Sequence, residues 1–156
     1  MKLVAAIAAA VVTAALPSGI LLAQSNPFVG TWKLNLAKSK DPGSFPKEET
    51  LQVQLVRGQR QVTIKGTSMN GVPISFKYEV PDKGGPGKIL TGGPYDAVSG
   101  ARIDYNTREV SYMIRGRGVL QLRSAVSKDG KTMSLKVDGT DDHGKTFSGL
   151  AVFDRQ

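Results

Sequence analysis

The chain has 156 residues, with 21 Lys+Arg against 13 Asp+Glu, a formal net charge of +8, and 40% apolar residues. That length suits one domain. With no cysteine and a single histidine, the composition excludes a disulfide scaffold, a thiolate metal site, a Cys nucleophile and any His-rich cluster.

Lys2 precedes an uncharged apolar run from Leu3 to Leu16, which Pro17-Ser18-Gly19 breaks before Leu22-Ala23. A short apolar core between a positive start and a small-residue end has the form of a secretory signal peptide, and is too short for a membrane span. The chain thus divides into a signal peptide, residues 1–23, and one domain, residues 24–156. The expected protein is exported, periplasmic or secreted, with no membrane span after cleavage.

From Phe28 onward the apolar period is two. Phe28, Gly30, Trp32, Leu34 and Leu36 alternate with polar or small neighbours, as do Leu51, Val53 and Leu55, then Val62 and Ile64. Val72, Ile74, Phe76, Tyr78 and Val80 form the clearest run. Ile103 and Tyr105, then Val110, Tyr112 and Ile114, then Met133, Leu135 and Val137 repeat the pattern. Each run reads as a strand with one buried and one wet face. Arg57-Gly58, Asn70-Gly71, Asp129-Gly130 and His143-Gly144 supply hairpin turns. The segment from Pro81 to Gly87 reads as a longer loop, and Ala37 to Lys47 is the longest connection. Lys65–Ser75 and Asp138–Ser148 share a Gly-Thr, turn, apolar-Ser pattern, which reads as one hairpin design used twice. With no crossover helix, the fold class is all-β. It is an antiparallel up-and-down meander of about 8–10 strands, closed into a barrel because closure removes exposed edges.

Gly30-Thr31-Trp32, at the start of the first strand, resembles the Gly-x-Trp entry motif of lipocalins and related calycin barrels. The segments Gly30–Lys40, Ser127–Met133 and Asp138-Gly139-Thr140 resemble small exported bacterial lipocalin-like (calycin-type) proteins, a group with no assigned activity to carry over. The resemblance implies that Gly30 and Trp32 close one end of the barrel beneath a late basic residue, Arg155 or Arg123. A guanidinium over an indole contributes ~0.5–2 kcal/mol. The chain departs from the lipocalin pattern in lacking the cysteine pair and a C-terminal helix, and its nearest second motif is Asp104-Tyr105.

No catalytic constellation emerges from the residues. Asp141-Asp142-His143-Gly144 reads as turn chemistry rather than a metal site. Glu48-Glu49 opens a strand and alternates faces, so it is not a working carboxylate pair. Gly84-Gly85-Pro86-Gly87 lacks the Lys-Ser/Thr and helix of a phosphate loop. Neither a cofactor nor a metal is expected. The expected cavity lining includes Trp32, Val53, Phe76, Tyr78, Tyr105, Tyr112, Ile114, Leu135 and Phe147, an apolar wall with tyrosine hydroxyls suited to orienting a largely apolar ligand.

With an extra strand near Ile89-Leu90, one barrel end gathers Arg57, Arg60, Lys83, Lys88, Arg108, Lys128 and Lys131 against Asp82, Glu109 and Asp129. The other end holds the long first connection, which borders the mouth in lipocalin-like barrels, so the more basic end is expected to be closed. The expected function is non-catalytic binding of a small, largely apolar molecule by a monomer. The alternative is a structural or interaction protein of the cell envelope, with a filled core and a basic surface toward anionic envelope polymers, screened within ~8 Å at physiological salt. A barrel enzyme ranks behind both. Nucleic acid is not an expected partner, because the basic residues are dispersed and no aromatic-basic reader motif occurs.

Overall fold

Alternating apolar and polar side chains make each long strand two-faced, and the chain buries one face by rolling the sheet on itself. The computed structural model describes residues 25–41, 45–141 and 143–156, so the expected signal peptide lies outside the described residues. Among these, eleven strands follow in order: β1 (Gly30–Leu34), β2 (Glu48–Val56), β3 (Gln59–Thr67), β4 (Pro73–Pro81), β5 (Gly84–Pro86), β6 (Lys88–Gly92), β7 (Ala97–Arg102), β8 (Thr107–Ile114), β9 (Arg117–Val126), β10 (Thr132–Thr140) and β11 (Thr146–Arg155). A single 3-10 turn over Leu36–Lys38 follows β1 and is capped by the Asn35 side chain.

Every strand pairing is antiparallel, and the sheet order is β5-β7-β8-β9-β10-β11-β1-β2-β3-β4-β6. The result is a nearly closed up-and-down barrel with one unsealed seam. The seam has a local cause. The return segment after β4 pairs first with β7, as β5, and then with β4, as β6. Gly87 lies at the change of partner, where its N–H donates to the Val98 carbonyl at 2.8 Å. A Cβ there would sit 2.2 Å from the Glu79 carbonyl oxygen and 2.5 Å from Val80. Only glycine lets the segment pass this close. Val80 and Val98, both buried, pack across the seam in place of ladder hydrogen bonds.

The strand count therefore exceeds the sequence expectation by one at least. Gly84–Pro86 is a short strand rather than part of a loop, because its pairing is made by backbone that carries almost no side-chain pattern. A second correction concerns Ile103 and Tyr105. The strand there is Ala97–Arg102, with Val98 buried, and residues 103–106 form the turn to β8. Asp104 caps that turn by accepting the Asn106 N–H at 2.8 Å. Ile103 is exposed.

The repeated hairpin pattern corresponds to repeated geometry. In the β3–β4 turn, Gly71 N–H donates to the Ser68 carbonyl and Val72 N–H to the Ser68 hydroxyl; in the β10–β11 turn, Gly144 and Lys145 make the same bonds to Asp141. Asp141 Oδ1 also accepts the His143 N–H at 2.9 Å, so its carboxylate serves the turn.

The inward face carries Trp32, Leu51, Val53, Val62, Phe76, Tyr78, Val110, Tyr112, Met133, Ala151 and Phe153, all buried. These follow strict alternation along β1, β2, β3, β4, β8, β10 and β11, as burial of one sheet face requires.

Candidate functional site

The two ends of the barrel differ in how they are filled. At one end the N-terminal segment crosses beneath the strands and inserts Phe28, which is 2% exposed. Trp32 is fully buried beside it, and its indole N–H donates to the Phe28 carbonyl at 2.9 Å. The Arg155 guanidinium lies 4.2 Å from the centroid of the Trp32 ring and donates to the carbonyls of Pro27, Val29 and Gly130. Gly30 makes this possible, because a Cβ there would sit 2.5 Å from Arg155 Nη1. Arg108 and Arg60, both buried, lie over the Phe28 ring at 4.9 and 5.7 Å. Asp82 offsets the Arg108 charge at 3.6 Å and accepts the Asn26 side-chain N–H at 2.9 Å. This end is sealed.

Of the two basic residues expected above Trp32, Arg155 takes the place. Arg123 stands on the outer face of β9, exposed, 3.4 Å from Glu109. Its position follows from parity, since Leu122 on the same strand faces inward.

The opposite end holds a cavity of about 520 Å³, within the range of roughly 300–1,000 Å³ typical of small-molecule sites. Phe45 and Pro46 of the long connection, Pro73 and Ile74 after the β3–β4 turn, and Gly93, Pro94 and Tyr95 before β7 rim it. Its walls are Leu34, Ile64, Phe76, Tyr112, Leu120, Leu122, Leu135, Val137, Phe147 and Phe153. Met69 and Val72, both exposed, belong to the β3–β4 turn at this same end. Below it lies a smaller chamber of about 70 Å³, bordered by Phe28, Val53, Arg60, Tyr78 and Met133. Glu49, Ile64, Tyr112, Leu122 and Leu135 border both spaces.

Glu49 is the one charged side chain of the large cavity among the described residues. It shares inward parity with Leu51 and Val53 on β2, whereas Glu48 faces out and accepts the Thr67 hydroxyl at 2.8 Å. Burial pushes the Glu49 carboxyl up from an ordinary 4.5 to about 7, with no opposing cation or hydrogen bond to bring it down. Four aromatic rings surround this region. Tyr95 and Tyr112 stack at 4.6 Å, Phe76 lies 5.7 Å from Tyr112, and Tyr78 meets Tyr112 edge-on at 5.4 Å. Burial raises the Tyr78, Tyr95 and Tyr112 hydroxyls, and the Glu49 charge adds to each shift. All three stay neutral at physiological pH. The buried Tyr112 hydroxyl makes no hydrogen bond of full geometry among the described residues, and its nearest polar neighbour is the Tyr78 hydroxyl, which it partly engages.

The expected lining residues fall into three groups. Phe76, Tyr112, Leu135 and Phe147 border the large cavity; Val53 and Tyr78 border the small chamber. Trp32, Tyr105 and Ile114 border neither. Trp32 belongs to the sealed end. Tyr105 sits in the β7–β8 turn, where its hydroxyl donates to the Ser25 carbonyl at 2.7 Å. Ile114 is displaced by a bulge, because the register of β8 against β9 shifts between Tyr112 and Met113. Sequence reasoning missed Glu49, Tyr95 and Phe45. Strand parity with Leu51 and Val53 was the available signal for Glu49. Tyr95 and Phe45 come from connections, where no periodicity marks the buried side.

No protein-family model and no curated protein sequence matches this chain.

Proposed function

We propose that the chain is an exported, non-catalytic binding protein that holds a small, largely apolar molecule in the open end of its barrel. The observation that carries this reading is the 520 Å³ cavity itself, walled by aliphatic and aromatic side chains with a few polar groups gathered in one place. Export rests on the N-terminal apolar run, and the lipocalin-like character on the Gly30–Trp32 motif and its Arg155 partner. A protein serving only as a filled structural body would gain stability by closing such a space, since empty apolar volume forfeits packing contacts.

The test is saturable binding of a neutral, environment-sensitive naphthyl probe to the purified protein. Wild type is expected to enhance its fluorescence with one-site saturation. Leu122→Trp, which places a large side chain in the cavity, is expected to abolish the enhancement while retaining a cooperative thermal transition. Enhancement that survives in a folded Leu122→Trp, or none in wild type, would overturn the reading.

A further inference from the structure

A cavity meant for a purely hydrocarbon guest has no use for a half-buried carboxyl in its wall. Glu49 sits in the wall shared by the large cavity and the chamber below it, and no cation or hydrogen-bond donor among the described residues neutralises it. No Lys, Arg or His borders the large cavity among the described residues, although the chain as a whole carries +8. The interior cation nearby in the fold, Arg60 on β3, borders the smaller chamber and lies over Phe28, and it makes no ion pair with Glu49. The other groups facing this region are the neutral tyrosines Tyr78 of β4, Tyr95 before β7 and Tyr112 of β8.

We propose that the ligand carries one protonated amine on its apolar body, and that Glu49 holds that amine as its counter-ion inside an aromatic cage. The proposal rests on the cavity-binding reading above and narrows its ligand class. Three features of the wall fit an ammonium group. The carboxylate supplies the missing charge partner, and a charge-assisted hydrogen bond in a desolvated site is stronger than a neutral one. The stacked Tyr95–Tyr112 pair and Phe76 present aromatic faces, which attract cations. The Tyr112 hydroxyl, whose proton faces Tyr78, keeps its oxygen lone pairs to accept a second ammonium N–H. An anionic head such as a fatty carboxylate meets the opposite situation, a like charge with no cation beside it.

The inference also fixes a pH response. Burial holds the Glu49 carboxyl near 7, so below that pH it is protonated and offers an amine only a neutral partner. The three tyrosines, whose hydroxyls burial raises, stay neutral between pH 5.5 and 8. Affinity for an alkylamine therefore rises across that interval, while affinity for a neutral analogue does not.

Three probes of one chain length separate this inference from the reading beneath it: decylamine, decanol and decanoate, each displacing the neutral naphthyl probe from the full chain. At pH 8, decylamine is expected to bind at least tenfold more tightly than decanol, with decanoate weakest. In Glu49→Gln the amine preference is expected to fall below twofold, with decanol still displacing the probe. At pH 5.5 the wild-type preference is expected to shrink severalfold. Equal binding of decylamine and decanol to wild type, or a preference that survives in Glu49→Gln, would overturn the amine assignment and leave the cavity reading standing. Failure of all three probes to bind would overturn both.

Discussion

The sealed and open ends of this barrel place charge inside protein in opposite ways. At the sealed end the half-buried guanidinium of Arg155 is stacked on Trp32 and hydrogen-bonded to three carbonyls, while the buried Arg108 is paired with Asp82. At the open end the Glu49 carboxyl is half-buried with neither cation nor donor among the described residues. Partnered burial closes a barrel and fixes its register; unpartnered burial costs stability and is retained where something else supplies the partner. The first end is built to stay shut, and the second is built around what it lacks.

The comparison breaks most sharply at Trp32. Trp32→Ala removes the largest fully buried side chain and the surface on which Arg155 rests. It is expected to destabilise by about 3–5 kcal/mol, read from urea unfolding. A loss no larger than that of an exposed substitution would mean the sealed end is not the structural anchor.

The next effect has the opposite sign. A carboxyl whose folded pKa lies above its unfolded value binds its proton more tightly in the native state. Native stability therefore falls as pH rises from about 4.5 through about 7 and levels off beyond. The shift corresponds to a penalty on the order of 3 kcal/mol at pH 8, absent at pH 4. Glu49→Gln is expected to raise stability at pH 8 by about that amount and to leave it nearly unchanged at pH 4, measured by paired denaturation curves. An equal effect at both pH values would place the change in packing rather than in charge.

Two arginines give the smallest contrast. Arg155→Lys keeps the charge but removes the planar fork, and is expected to cost about 2 kcal/mol. Arg123→Lys, on the outer face beside Glu109, is expected to stay within about 0.5 kcal/mol. Equal costs in thermal unfolding would remove the distinction between the stacked and the surface guanidinium.

The all-β architecture was legible because alternation is a direct consequence of burying one sheet face. Phe76, Tyr78 and Val80 on β4 and Met133 on β10 show the rule holding. It failed where a different interaction set the geometry. β5 is paired through glycine-rich backbone, Ile114 is moved by a bulge, and the 103–106 turn takes its shape from the Asp104 side chain. The candidate site was only half legible. Its apolar wall follows parity, but Tyr95 and Phe45 arrive from connections whose course depends on tertiary packing. Glu49 was hidden by being read as half of an adjacent pair with Glu48, when its place two residues before Leu51 assigned it to the interior. A polar residue in phase with an apolar face is a conflict between local and global pattern, and such conflicts concentrate at functional sites.

Whether Glu49 is a desolvated carboxyl without a partner is measured directly by carbon-detected NMR titration of its side chain in the ligand-free protein. A midpoint near 7 is expected. A midpoint at the ordinary value of 4.5 would contradict it, because the carboxyl would then be solvated or paired and the open end would hold no uncompensated charge.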